Sequence, residues 1–351
     1  MSNKMLAAVY HGPNDLRVEE YPVPDIDSGE VLLRVISTGI CGTDLRILHG
    51  GHRKYPPGTV RIPGHEVVGE IVQVGDEVSG LDISQHVVVA PNVGCGRCKQ
   101  CVSGNTNLCA LFNAPGITFD GSFAQYMRIP AAAILQGNLI PIDKSKDPAV
   151  ATLIEPLACV LRGQGELRIQ PAETILVIGA GPIGLMHIML AKMRGAGKVV
   201  VSELIPERLT LAKELGADCT VNPGEENLIA IVAEETHGAG FDVVIVATPV
   251  SEAQEISLEL AAIGGRINFF GGLPKDRSTI KFNSNLVHYK ELLVTGTTGS
   301  CTNDCLRAVE IFNSSRIELS KLIGARFSLT DALEAFKAAE EGSALKVVML
   351  P

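Results

Sequence analysis

The stretch Thr174-Ile175-Leu176-Val177-Ile178-Gly179-Ala180-Gly181-Pro182-Ile183-Gly184 decides how the chain folds. Its first five residues are uncharged and mostly β-branched, which reads as a buried strand. A Gly-x-Gly-x-x-Gly turn follows at once, and Pro182–Met193 reads as a helix with proline in its tolerated first turn. Alone, such a glycine pattern is common. Between a strand and a helix it is a dinucleotide fingerprint. Gly179 permits the tight turn, Gly181 lets a pyrophosphate reach the backbone, and Gly184 lets the helix pack on the strand. Pro182 and Ile183 open the helix, whose free N–H groups and positive dipole end would receive the phosphates. An acid belongs about twenty residues on, at the end of the next strand. Glu203, closing the run Val199-Val200-Val201-Ser202, stands there. Its carboxylate would accept hydrogen bonds from a ribose diol and repel a 2′-phosphate, which favours NAD over NADP. Arg208 lies close enough to attract a phosphate instead, and a solvated strand end is the plain alternative for Glu203.

The same texture continues downstream. Residues 199–202, 242–247 and 266–270 read as strands, and 206–215 and 253–262 as helices. Alternating strands and helices, with continuously apolar strands, imply a doubly wound parallel sheet covered on both faces, an α/β arrangement. Before Pro171 the chain reads differently. Short β-branched runs at 30–36, 65–74 and 86–90 are bounded by Gly, Pro and Asp, with few helical patterns between them. That half is expected to be an irregular β-rich domain. After Glu291 come one more strand, helices over 304–313 and 331–341, and a final strand Lys346–Leu350 that would return to the first domain. The expected division is 1–155 with 291–351 as one domain and 156–290 as the dinucleotide-binding domain.

Composition removes several function classes. The net charge is −9 and no Lys/Arg-rich block occurs, whereas nucleic-acid binding needs a cationic footprint. Trp is absent and aromatics make up 4%, too few for a base-stacking surface. No apolar run reaches the eighteen or so residues that span a bilayer. No secretory leader is evident in the sequence, and the nine cysteines are an odd number, so disulfides are not expected. These features together lead to an expected cytoplasmic protein.

Four of those cysteines are concentrated: Cys95, Cys98, Cys101 and Cys109, in a lobe of about 92–112. Glycines 94, 96 and 104 let the chain turn among them. Four thiolates fill the tetrahedral shell of structural zinc and exclude water. An iron–sulfur run also begins C-x2-C-x2-C, but there the fourth cysteine follows after three residues and precedes proline. Here it follows after seven and precedes Ala110.

Three further residues bear on a second metal: Cys41 in Gly39-Ile40-Cys41-Gly42-Thr43-Asp44, His65 with Glu66 in Pro63-Gly64-His65-Glu66, and Glu155 in Ile154-Glu155-Pro156-Leu157. Thiolate, imidazole and carboxylate are all zinc ligands. Each also has a structural reading, as a small buried residue, a hydrogen-bonded core histidine and a turn cap. Taken in order with the cysteine lobe and Gly179–Gly184, these motifs resemble the zinc-dependent medium-chain dehydrogenases, polyol (sorbitol-like) subgroup, over nearly the full chain.

The resemblance implies a GroES-like catalytic domain beside a Rossmann domain, two zinc ions per chain, NAD, and a homodimer or homotetramer. Cys41, His65 and Glu66 or Glu155 would hold the catalytic zinc, with Glu66 and Glu155 both candidates. Thr43 would take the first proton from the substrate hydroxyl. Relatives often carry histidine where this chain has Arg46, and a guanidinium is a poor base. Arg46 is therefore a candidate contact for a substrate anion such as a phosphate. Ile154-Glu155-Pro156-Leu157 is a polyol-type motif, so the expected reaction is oxidation of a secondary alcohol in a polyol or polyol phosphate. L-Threonine 3-dehydrogenase is the alternative within the family. The segment Ser300–Cys305, in place of an aromatic-rich stretch, counts against it. A catalytically inactive dinucleotide sensor is a further alternative. Elemental analysis of the purified chain separates these readings: two zinc ions per chain are expected for the enzyme, and one for a sensor that keeps the cysteine lobe alone.

Overall fold

The structure, a computed structural model, describes residues 4–351. Two compact units emerge. One comprises the chain up to Ala158 with Gly299–Ser315 and Leu319–Pro351, and the other comprises Cys159–Thr298 with Arg316–Glu318. No described helix is long and apolar enough to cross a membrane.

The first unit is built on a seven-stranded sheet. Its path runs β14 (Ile323–Ser328), β15 (Lys346–Leu350), β3 (Val31–Gly39), β4 (Glu66–Val74), β5 (His86–Val89) and β7 (Leu139–Pro141), with β6 (Tyr126–Ile129) also paired to β3. A separate antiparallel pair joins β1 (Lys4–Gly12) to β2 (Asp15–Pro22). Two apolar clusters fill this unit. One centres on Val31, Leu33, Ile71 and Met127 inside the sheet. The other gathers Ile47, Ile62, Phe123 and Phe336, with Phe123 and Phe336 edge-to-face at 5.5 Å.

The register of the central strands matters most. Gly39, the last residue of β3, faces Glu66 on β4 and Val348 on β15. One step further, Ile40 N–H donates to Val347 O at 3.0 Å. The end of β3, the start of β4 and the start of β15 therefore meet at one end of the sheet's inner strands. Cys41 follows directly and leads into a short helix over Gly42–Leu48.

In the second unit six strands run parallel in the order β10 (Cys219–Val221), β9 (Lys198–Ser202), β8 (Thr174–Ile178), β11 (Phe241–Val246), β12 (Ala261–Phe269) and β13 (Leu293–Gly296). The strands are nearly uninterrupted in burial, as expected for a sheet covered on both faces. Helices Pro182–Met193, Pro206–Glu214 and Ser251–Leu260 alternate with them.

One expectation needs correction, and one element was not foreseen. The expected boundary at 291 put the next strand in the first domain. It pairs instead with β12, Arg266 opposite Leu293 and Phe269 opposite Gly296, because its backbone completes the parallel ladder. The chain changes units only after Thr298. The helix Gly42–Leu48 was also not anticipated. Its signal is short, and Asp44 capping the Cys41 backbone N–H at 2.9 Å nucleates it.

Candidate active site and cofactor turn

The place where β3, β4 and β15 meet gathers ligand-type atoms. Cys41, His65 and Glu66 each offer one donor atom, and these atoms all lie within 4.8 Å of one another. His65 is 8% exposed and Glu66 is 1% exposed. Glu155, half-buried at the start of the helix Ile154–Glu166, is not part of this group. Of the two carboxylates proposed from the sequence, the structure therefore brings Glu66 to the donor cluster and leaves Glu155 outside it. Thr43 lies in the first turn after Cys41, half-buried, and its hydroxyl has no partner among the described residues.

Two residues that sequence reasoning missed complete the surroundings. Asp44 is fully buried, and its Oδ1 sits 3.5 Å from His65 Nδ1. A carboxylate behind one ring nitrogen orients the imidazole and leaves the other nitrogen for a metal. Burial resists protonation of His65, but the charges and hydrogen bonds of Asp44 and Cys41 outweigh it and raise its pKa well above the usual imidazole range. The second is Lys346, which pairs with Glu66 Oε2 at 6% exposure. Burial works against its charge, but Glu66, then Cys41, and more weakly Glu155 raise its pKa above that of an ordinary lysine. Gly39 makes room for this pair. A Cβ there would run into Glu66 Oε2 and come 3.0 Å from Lys346 Cε. Asp44 was visible in the Cys41-Gly42-Thr43-Asp44 motif as a capping acid. Lys346 gave no signal beyond a charge opening an apolar strand.

The residues fit a metal ion. Cys41 Sγ, a ring nitrogen of His65 and a carboxylate oxygen of Glu66 converge within 4.8 Å of one another, close enough to share one cation, while Asp44 and Lys346 stand behind His65 and Glu66. A thiolate, an imidazole and a carboxylate make a three-ligand set with a fourth position open, as catalytic zinc requires.

The second candidate site is the cysteine lobe. The sulfurs of Cys98 and Cys101 are 3.5 Å apart, those of Cys98 and Cys109 3.8 Å, and those of Cys95 and Cys101 4.0 Å. Zn–S bonds of about 2.3 Å in tetrahedral geometry set sulfurs about 3.8 Å apart. All nine cysteines are free of disulfides. Backbone N–H groups of Arg97 and Cys98 pull the Cys95 thiol down to about 6, whereas burial and then Cys98 push Cys101 up to about 12. Four sulfurs this close ionise together only around a cation. Gln136 clamps the base of the lobe, accepting from Gly94 N–H at 3.0 Å and donating to Gly94 O at 2.8 Å.

In the second unit, Gly179 ends β8 with φ of +101°, and Gly181 caps the helix that Pro182 and Ile183 begin. A Cβ on Gly184 would strike the Gly179 carbonyl oxygen, so the close approach of helix and turn requires glycine. Glu203 is more than a solvated strand end. One carboxylate oxygen accepts Ala180 N–H at 2.7 Å, and the other accepts Leu204 N–H at 2.8 Å and Ile205 N–H at 3.2 Å. It ties the glycine turn to the end of β9. Arg208, in the first turn of the helix Pro206–Glu214, is half-buried and makes no ion pair among the described residues.

Comparison with known proteins agrees with this architecture. Residues 27–141 match the family described as alcohol dehydrogenase GroES-like domain, and residues 182–314 match zinc-binding dehydrogenase. The chain is 36% identical to an L-threonine 3-dehydrogenase of Pyrococcus horikoshii, across 100% of this chain and 99% of that protein. The chain belongs to the zinc-dependent medium-chain dehydrogenase family. It is also 32% identical to a sorbitol dehydrogenase of Bacillus subtilis, across 99% of this chain and 97% of that protein. Among solved structures, a zinc-binding dehydrogenase of Sinorhizobium meliloti bound to NADP superimposes with a TM-score of 0.92 at 31% identity, covering 99% of both chains. This dehydrogenase is thus a zinc- and NAD(P)-dependent oxidoreductase acting on CH–OH groups.

The Lys346–Glu66 pair makes a direct prediction for the dehydrogenase. Lys346→Met leaves Glu66 buried without its counter-charge, which costs a protein roughly 3–5 kcal/mol. Thermal melts of the metal-stripped variant are expected to show that loss. Added zinc should recover part of it, because the cation takes over the pairing. Equal melting temperatures for variant and parent without metal would contradict this.

Proposed function

We propose that this dehydrogenase oxidises a secondary hydroxyl of a polyol and passes the hydride to NAD. The observation that carries the reading is the donor group of Cys41, His65 and Glu66 beside the unpartnered Thr43 hydroxyl. In this reading those three residues hold a catalytic zinc, and Cys95, Cys98, Cys101 and Cys109 hold a structural one. When bound, zinc supplies Lewis acidity toward the alcohol and the dinucleotide supplies the hydride acceptor.

The chain's own residues do the rest. Asp44 fixes the His65 ring. Lys346 pairs with Glu66 and limits its reach. Thr43 Oγ takes the hydroxyl proton of the substrate as it passes its own hydroxyl proton to water, since its oxygen is not committed elsewhere and the side chain is only half-buried. Glu155, outside the donor group, contributes negative potential that Lys346 feels. Gly179, Gly181, Pro182, Ile183 and Gly184 receive the pyrophosphate. Glu203 supports NAD, because the turn it braces carries a carboxylate where a 2′-phosphate would sit. The NADP bound by the Sinorhizobium relative and the unpaired Arg208 are the observations on the other side.

A second reading is oxidation of L-threonine at its secondary alcohol. The threonine dehydrogenase relative is more similar than the sorbitol dehydrogenase, which supports this reading against the sequence argument drawn from Ser300–Cys305.

NAD reduction by the zinc-loaded enzyme across sorbitol, ribitol, xylitol, 2,3-butanediol and L-threonine tests the choice. The polyol reading expects kcat/KM to be highest on a polyol. A preference for L-threonine would replace it with the second reading. For the proton step, Thr43→Ala is expected to lower kcat by about 10²–10⁴, the usual contribution of a positioned proton acceptor, with zinc content unchanged. A kcat within twofold of the parent would remove Thr43 from the reaction.

A further inference from the structure

Near the donor group the first unit carries two arginines, Arg46 and Arg53, whose side chains pair with nothing among the described residues. The chain as a whole has 39 acidic against 30 basic side chains, so unpaired cations are not its general habit. On the helix Gly42–Leu48, Asp44 and Ile47 form the buried face. Thr43 and Arg46, likewise three residues apart, form the neighbouring stripe, since residues at i and i+3 lie over one another. Arg46 thus stands one turn beyond the hydroxyl proposed to take the substrate's proton. It is exposed, and neither it nor the exposed Arg53 makes a hydrogen bond or ion pair through its side chain among the described residues.

The loop after the helix fixes this arrangement. Gly51 N–H donates to Arg46 O at 2.9 Å, and a Cβ on Gly51 would lie 3.2 Å from Arg46 Cγ, so the bare backbone braces the arginine stem. The chain then returns to place His52 half-buried, its ring edge-to-face with Tyr55 at a centroid distance of 6.0 Å. Tyr55 is itself buried and donates to Gly116 O at 2.6 Å. His52 Nδ1 accepts Lys54 N–H at 3.3 Å, which leaves Nε2 as the protonated, donating nitrogen of the neutral ring. Burial, and then the charges of Arg46, Arg53 and His65, hold the His52 pKa below its ordinary value. Asp44 alone acts the other way, and its Oδ2 is already committed to Cys41 N–H. Lys54 is turned elsewhere, its ammonium 5.5 Å from the Phe112 ring centroid.

We propose that Arg46, with His52 and Arg53 behind it, forms an oxyanion subsite that makes the preferred substrate a secondary alcohol bearing a phosphate ester or a carboxylate. The inference rests on the alcohol-oxidising role of the adjacent donor group and sharpens its substrate class. The planar fork of Arg46 can take two oxygens of such a group, and His52 Nε2–H can take a third. No proton-transfer role is needed for Arg46.

Steady-state kinetics of the zinc-loaded full chain test this with matched substrates: sorbitol against sorbitol 6-phosphate and gluconate, and ribitol against ribitol 5-phosphate, with L-threonine alongside. The parent enzyme is expected to favour an anionic member over its neutral partner in kcat/KM by roughly tenfold or more, the scale of one charge-assisted contact. Arg46→Gln should collapse that ratio mainly through KM, and Arg46→Lys should keep part of it. The phosphate and carboxylate arms identify which oxyanion is read. An unchanged ratio in Arg46→Gln overturns the proposal. So does a rise in KM for NAD that lowers all substrates alike, because Arg46 would then serve the cofactor's phosphates. Calorimetric titration with inorganic phosphate separates this question from the identity of the alcohol. If no polyol is turned over yet phosphate binds the parent and not Arg46→Gln, the polyol reading fails and the subsite stands. If phosphate binds neither or both equally, the subsite fails.

Discussion

A buried charge pair at the ends of the sheet's inner strands is the constraint on which the rest of the first unit depends. Glu66 and Lys346 are 280 residues apart in sequence, yet both sit against Gly39, one on each neighbouring strand. Two charges taken out of water are costly unless each finds the other and a further partner. The pair is tolerable because β3, β4 and β15 lock their register over a residue with no side chain. The same register delivers Cys41 from the end of β3 and His65 from the start of β4. Placement of the three donor side chains and the register of the sheet are therefore one structural problem. A slip of one residue in any of the three strands would turn a donor side chain or the Lys346 counter-charge to the opposite face.

The second unit solves a different problem. Its parallel strands are buried on both faces and specify their own order through continuous apolar runs. Its dinucleotide fingerprint is one turn, where Gly179 takes a positive φ, Gly184 lets the helix close in, and Glu203 satisfies three backbone N–H groups. A carboxylate that holds a turn together in this way is already positioned before any ligand arrives. Pre-positioning of this kind lowers the entropy lost on binding.

The parts legible in the sequence were those whose chemistry is local. The run Thr174–Gly184 names a strand, a turn and a helix because each requirement lies within a few residues. The cysteine lobe is equally local, since four thiols within fifteen positions can meet only around something. Lys346 was opaque because its meaning depends on β15 returning beside β3, and no residue near it says so. The competition between Glu66 and Glu155 was opaque for the same reason: both are chemically able ligands, and only the β3–β4 register decides which carboxylate reaches Cys41 and His65. The strand Leu293–Gly296 shows the converse error. Its sequence reads correctly as a strand, but partner choice is a tertiary property, and it completes the parallel sheet.

Anomalous diffraction at the zinc edge on crystals of the zinc-loaded protein tests the central claim most directly. The account predicts one ion held by four sulfurs, and a second bonded to Cys41, His65 and Glu66 while Glu155 stays outside its coordination shell. A second ion bonded to Glu155, with Glu66 turned wholly to Lys346, would contradict it.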